Sequence, residues 1–311
     1  MLVKDFLSIA DLDAPSLRHL LDLAADFKRR RGQGAIETSL AGKTLALVFQ
    51  KPSLRTRVSF EVAMSELGGT SLYLSPQEIQ LGERESVADA ARVLSRYVHG
   101  IVARTFRHED VVELAAAASV PVINGLSDFE HPCQILADLM TLREHLGTLE
   151  GRTLAYVGDG NNVATSLMLA APLAGLGLRV ATPLGYEPAE EVSRMALQRA
   201  EQNSVEMRLL NDPCAAVRDV DAVYTDAWFS MGQEGERELR RPAFAPFQIN
   251  RELLGVARAG AVVLHCLPAH RGEEISDEVL DGPQSVVLDQ AENRLHAQKA
   301  VLSALFDGAG A

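Results

Sequence analysis

Cysteine is scarce in this chain: there are 3 among 311 residues, Cys133, Cys214 and Cys266. They are odd in number and far apart, and no Cys-x-x-Cys spacing occurs, so neither a disulfide framework nor a zinc site follows. A reducing compartment fits that usage. No apolar run approaches the ~20 residues that span a bilayer. The N-terminus also lacks the basic segment and long apolar stretch of a signal peptide. The expectation is a soluble, cytoplasmic protein with no membrane partner. A basic surplus is missing as well: the net charge is -12 and the pI about 5.2. That excludes a broad nucleic-acid-binding face, which needs clustered positive charge. Any anion site must be a local basic pocket in an acidic protein.

What is present is concentrated in one stretch, Phe49-Gln-Lys-Pro-Ser53-Leu54-Arg55-Thr56-Arg57. The run Thr44–Phe49 reads as a buried strand, Pro52 breaks it, and a helix follows from Thr56 with Phe60, Met64 and Leu67 on one face. Two arginines and two hydroxyls thus sit where a strand hands over to a helix N-terminus. The free N–H groups and positive dipole end suit an anion there, and guanidinium forks match phosphate oxygens. The stretch lacks the glycines and the Gly-Lys-Ser/Thr ending of a Walker loop. Alone, either arginine is as readily a solvated charge at a helix start; packed together they point to a phosphate cup made of side chains.

Around this stretch, strands and helices alternate. Residues 1–36 read as helical, Thr70–Leu74 as a strand, residues 75–85 as a polar loop, and Ser86 as the cap of the next helix. Short strands at Ile101–Ala103 and Val120–Ile123 follow, with Arg104 at the end of the first. His131-Pro-Cys-Gln134 opens a long helix that connects two domains. A second cycle begins at Thr153, with strands near Leu154–Val157, Arg179–Ala181, Val205–Leu209, Ala222–Thr225, Ala261–His265 and Ser285–Leu288. Its first helix should kink at Pro172, and an amphipathic helix, Ala291 to Phe306, ends the chain. The rhythm implies an α/β protein of two doubly wound domains, each with a parallel sheet, and an active site in the cleft between them. The expected boundaries are 1–147 and 148–289, with the helix in 290–311 packing back on the first domain.

Further chemistry follows strand ends. Gly158-Asp-Gly160-Asn161-Asn162 invites a dinucleotide reading, but the third glycine is Val163, so that signal is weak and a simple helix cap is an equal alternative. His131 could donate to a carbonyl oxygen turning negative, although an isolated histidine at a helix start is more often structural. Asp226-Ala-Trp-Phe-Ser230-Met231-Gly232 offers a carboxylate for an amine and a flexible loop. Cys266 in His265-Cys266-Leu267-Pro268 fits a substrate contact better than a nucleophile, since no Cys-His-Asn set is assignable.

These motifs together resemble the aspartate/ornithine carbamoyltransferase family. Ser-x-Arg-Thr-Arg is its carbamoyl-phosphate signature, and Asp-x-x-x-Ser-Met-Gly with His-Cys-Leu-Pro marks its ornithine-specific members. The resemblance implies transfer of the carbamoyl group of carbamoyl phosphate to the δ-amine of L-ornithine, giving L-citrulline and phosphate. Another amine acceptor, putrescine or an N-acylated ornithine, remains an alternative. It assigns carbamoyl phosphate to Ser53, Leu54, Arg55, Thr56, Gln80, Arg104, His131, Gln134, Cys266, Leu267 and Arg294. Of these, Arg55, Arg104, His131 and Cys266 act at the reacting centre. Ornithine falls to Asn162, Asp226, Ser230 and Met231. Leu54 stands where the family often has threonine, which suits a backbone contact. The resemblance further implies a homotrimer with shared active sites, Gln80 reaching a neighbouring subunit, and no metal or organic cofactor.

Overall fold

The computed structural model describes residues 4–229 and 234–308. Helix α1, Ala14–Gly32, starts at Asp13, whose carboxylate accepts the Ser16 N–H at 2.8 Å. It follows a short 3-10 turn, Ile9–Asp11, so the first residues are not continuously helical. Strand β1 is Thr44–Phe49 and helix α2 is Leu54–Glu66. The helix begins two residues before Thr56 because Ser53 is its cap: the Ser53 Oγ accepts the Thr56 N–H at 3.2 Å. Phe60, Ala63 and Met64 form its buried face, and Gly68, at φ 83°, follows its end.

The chain continues through β2 (Thr70–Leu74), α3 (Pro76–Ile79), α4 (Val87–Leu94), β3 (Gly100–Arg104), α5 (His108–Ala117), β4 (Val122–Leu126) and α6 (Pro132–Leu146). α3 is a helical turn inside the expected polar loop. Ser75 and Glu78 close it as a reciprocal capping box.

The second half runs β5 (Thr153–Val157), α7 (Asn162–Ala170), β6 (Gly177–Ala181), α8 (Glu190–Gln202), β7 (Met207–Leu210), α9 (Pro213–Val217), β8 (Ala222–Thr225), α10 (Arg237–Phe244), α11 (Arg251–Leu254), β9 (Val262–His265), α12 (Asp277–Leu280) and α13 (Val287–Gly308). Pro172 does not kink α7. The helix ends at Ala170, and the proline starts a 3-10 turn, Pro172–Ala174, where a missing N–H costs nothing. The strand expected at Ser285–Leu288 is a single bridge, Ser285 to Val263, and the last helix takes over at Val287.

Two compact units result. One comprises the chain to Met140 and again from Glu292; the other runs from Thr141 to Ala291. Each is built on a parallel sheet, with strand order β2-β1-β3-β4 in the first and β7-β6-β5-β8-β9 in the second. In each order the connections leave in opposite directions at one place, between β1 and β3 in the first sheet and between β5 and β8 in the second. Ligands bind at the carboxyl ends of strands at such a switch point. Val48, Ile101, Val111 and Leu114 pack on one face of the first sheet, and Val157, Val223, Val263 and Ile275 share a cluster in the second. No described helix is long and apolar enough to cross a membrane.

Candidate active site

At the switch point of the first sheet, β1 delivers Ser53, Arg55 and Thr56, and β3 delivers Arg104. Pairing to β4 slips between Ala103 and Arg104, a local irregularity that re-aims the arginine at the strand end. Gln50 ties the two strand ends together. Its backbone N–H donates to the Arg104 carbonyl at 2.8 Å, and its side-chain oxygen accepts the Phe106 N–H at 2.8 Å.

Arg294 of α13 completes this end of the sheet. Its guanidinium donates to Gln134 Oε1 at 2.6 Å and to Thr56 Oγ1 at 3.2 Å, with all three side chains buried. The Gln134 Nε2 donates to Asp138 at 2.8 Å, which fixes which end of the amide faces Arg294. Arg55, Arg104 and Arg294 all act electrostatically on His131. Burial first, then these three charges, hold its imidazole well below the ordinary histidine range, so it is neutral. A neutral imidazole among guanidinium groups donates a hydrogen bond without adding a fourth cation.

The sign of the resulting pH dependence follows. In the unfolded chain His131 protonates near ~6.5; in the folded chain it resists. The unfolded state then binds more protons, so acidification from about pH 7 to pH 5 costs stability. His131→Gln is expected to make the melting temperature less sensitive to acid across that window than the wild type's. Parallel calorimetry of the two proteins checks it, and identical pH slopes would contradict a neutral buried His131.

The remaining residues of this unit divide. Leu54 is 74% exposed at the first position of α2, so it offers only its backbone. Arg57 turns away: it donates to Glu61 at 2.9 Å and lies 3.8 Å over the Tyr73 ring. Gln80 is exposed at the end of α3 in a left-handed conformation, φ 40° and ψ 50°, apart from the buried group. Sequence reasoning assigned no role to Lys51. It is buried, its ammonium 4.6 Å over the Phe106 ring, and burial followed by the Arg104 charge draws its pKa down. Its only signal was adjacency to the Ser53 motif.

The switch point of the second sheet carries Asp226 after β8 and the Asn161-Asn162 pair after β5. Asp226 is held from both sides: the Cys266 thiol donates to Oδ1 at 2.9 Å and Asn161 Nδ2 to Oδ2 at 2.8 Å. Asn161 also caps α7, its Oδ1 accepting the Val163 and Ala164 N–H groups at 2.9 and 3.1 Å. Those are the donors that a pyrophosphate would need, which argues against a dinucleotide here. Gly160 is required for close packing, since a Cβ would lie 2.3 Å from the Pro188 nitrogen. Asn161, weighed from the sequence only as a helix cap, also orients Asp226, while Asn162 is the half-buried first residue of α7.

Cys266 and Leu267 follow β9. The Leu267 N–H donates to His265 Nδ1 at 2.9 Å, and the His265 N–H donates to Gln290 at 2.9 Å. Leu267 has φ 58° and precedes a cis proline. A thiol donating to a carboxylate is a positioned donor rather than an activated nucleophile. Ser230 and Met231 lie outside the described residues.

Two family models match the chain: the carbamoyl-P binding domain of aspartate/ornithine carbamoyltransferase over residues 4–144, and the Asp/Orn binding domain over residues 150–305. The anabolic ornithine carbamoyltransferase of Pyrococcus furiosus is 55% identical, covering 98% of this chain and 97% of that one. The ornithine carbamoyltransferase of Thermococcus kodakarensis is 54% identical over 98% and 97%. Among solved structures, that of the P. furiosus enzyme superposes with a TM-score of 0.96 at 55% identity, covering 98% of this chain and 97% of that one. That of the Thermus thermophilus enzyme does so with 0.89 at 50% identity, covering 98% and 100%.

Proposed function

This chain belongs to the aspartate/ornithine carbamoyltransferase family, and on that premise we propose that it transfers the carbamoyl group of carbamoyl phosphate to the δ-amine of L-ornithine, giving L-citrulline and phosphate. The observation that carries this reading is the gathering of Arg55, Arg104 and Arg294 around His131, which burial first and then their charges keep neutral.

Carbamoyl phosphate is a compact dianion with a carbonyl and an amide. The first N–H groups of α2, with Ser53, Arg55, Thr56 and Arg104, hold its phosphate, and Arg294 fixes Thr56 and Gln134 beside it. Gln134 presents an oxygen to the carbamoyl NH2, while His131 donates to the carbonyl oxygen. Attack at the carbonyl carbon places negative charge on that oxygen, and expulsion of phosphate places more on the leaving group. Fixed donors aimed at both stabilise the transition state without reorganising.

Ornithine presents its α-ammonium to the oriented Asp226 carboxylate and its carboxylate to Asn162, with backbone contacts from Ser230 and Met231. Its δ-amine must be neutral to attack, although a lysine-like amine has a pKa near ~10.4. Nearby guanidinium charges favour the neutral form.

Residues 1–147, with the final helix, form the carbamoyl-phosphate domain and residues 148–289 the ornithine domain. The protein acts in arginine synthesis in the cytoplasm, as a homotrimer in which Gln80 reaches a neighbouring subunit's phosphate. Its exposure supports that role. Carbamoyl transfer, read as phosphate release that depends on the acceptor, should be at least about a hundredfold faster with ornithine than with putrescine or an N-acylated ornithine. That margin is about the ~3 kcal/mol upper end for one charge-assisted hydrogen bond. A faster rate with either alternative would overturn the acceptor assignment.

A further inference from the structure

A second group of side chains lies beyond Cys266 and Leu267, in the turn His270-Arg271-Gly272-Glu273-Glu274. The turn is tightly built. The Glu273 N–H donates to the His270 carbonyl at 2.9 Å, and the Gly272 N–H to the Ile275 carbonyl at 2.9 Å. Gln248 donates to the Gly272 and Glu273 carbonyls at 2.9 and 2.8 Å. Arg271 points outward, into ion pairs with Asp277 and Asp281 at 2.7 Å. His270, Glu273 and Glu274 point together, with one donor atom of each within 4.8 Å of the others.

The hydrogen bonding of these three residues has a consistent gap. Glu273 uses one oxygen: Oε1 accepts from Arg237 and from Arg241, the latter at 2.9 Å. Glu274 also uses one oxygen, Oε1, which takes the His270 N–H and lies 3.1 Å from His265 Nε2. Because His265 Nδ1 accepts from Leu267, its proton is on Nε2, facing that carboxylate. The other oxygens, Glu273 Oε2 and Glu274 Oε2, and the nitrogen His270 Nδ1 are buried, with no hydrogen-bond partner among the described residues. Glu274 is 0% exposed. The separation of 3.6 Å between His270 Nδ1 and Glu274 Oε2 is too long for a hydrogen bond.

Two buried carboxylate oxygens and a buried imidazole nitrogen without hydrogen bonds among the described residues, on side chains whose ligand atoms come within 4.8 Å of one another, are costly unless something bridges them. We propose that His270, Glu273 and Glu274 form a binding site for a divalent transition cation, distinct from the substrate-binding residues. One nitrogen and two oxygens suit zinc, cobalt or manganese. Each ligand has the outer support that such sites carry: the arginines hold Glu273, His265 holds Glu274, and the His270 ring packs 5.0 Å from Phe229. The His270 side chain is 37% exposed, which gives an entry path and leaves remaining positions to water. The cation takes no part in the reaction; it fastens the turn that follows Cys266 and Leu267.

Asp226, His265 and Cys266 form the other candidate group among the described residues and are the competing location. The full-length protein is titrated with Zn2+ by calorimetry and with Co2+ by absorption. One Zn2+ should bind per chain and raise the melting temperature. Co2+ should give visible bands without a thiolate charge-transfer band. His270→Asn leaves both arginine pairs of Glu273 intact and should weaken Zn2+ binding at least about tenfold, as should Glu273→Gln, whereas Cys266→Ser should not. The proposal is overturned if Zn2+ does not bind, if His270→Asn binds it as the wild type does, or if the cobalt spectrum carries the thiolate band.

Discussion

Replacing Arg55 with alanine should lower turnover with carbamoyl phosphate and ornithine by more than about a hundredfold, the ~3 kcal/mol typical of removing one donor to developing charge. The fold should tolerate the change. Arg55 is the second residue of α2 and half-buried, and the helix is secured there by other groups: Ser53 caps Thr56 at 3.2 Å and the Ser59 hydroxyl donates to the Arg55 carbonyl at 2.6 Å. Alanine is the best helix former, so the melting temperature should hardly move. The loss should fall on the chemical step and the phosphate together, because the same charge acts on His131. Lysine should not restore activity, since a point charge does not replace a planar fork. Steady-state kinetics with a melting curve decides it, and near-normal turnover would remove Arg55 from the mechanism.

The second large effect should be selective. Asp226→Ala is expected to weaken ornithine binding by about a hundredfold or more, because an amine loses its charged partner, at up to ~3 kcal/mol for such a hydrogen bond. Carbamoyl phosphate affinity should change by less than about tenfold, one ~1.4 kcal/mol step. The variant leaves the Cys266 thiol and Asn161 Nδ2 without their acceptor, but the cap that Asn161 makes through Oδ1 is untouched. α7 should therefore remain in place. Separate calorimetric titrations of the two substrates give the ratio, and equal losses on both would contradict the assignment of Asp226 to ornithine.

How much of this was legible beforehand depended on what each residue's neighbours in sequence reveal. Thr44–Phe49 and Thr70–Leu74 are strands to the residue, because short apolar runs flanked by turn-forming residues leave little choice. The start of α2 fell two residues earlier than the apolar spacing suggests, since Ser53 is its cap and that role is local. Ser285–Leu288 misled because its short apolar run, Val286-Val287-Leu288, does not tell a strand from the first turn of a helix. Arg55, Thr56, Arg104, His131, Gln134 and Arg294 were singled out from motifs, and the structure sets the charges of Arg55, Arg104 and Arg294 on His131 and bonds Arg294 to Thr56 and Gln134. Lys51 and the bond of Asn161 to Asp226 were passed over for a shared reason, although the helix cap weighed for Asn161 is present. What distinguishes them is burial against Phe106 and a bond to Asp226, contacts with partners 55 and 65 positions away. A motif read along the chain does not contain such contacts.

The helix Val287–Gly308 carries Gln290, which accepts the His265 N–H, and, one turn later, Arg294, which holds Thr56 and Gln134. At ~5–20 residues per second, every strand of both sheets has been synthesised before Gln290 and Arg294 exist. A nascent chain short of Val287 lacks the guanidinium that secures the phosphate cup, the amide that receives His265, and Val301 and Leu302, which are fully buried in the first unit. The phosphate cup is therefore completed only after both sheets have been made.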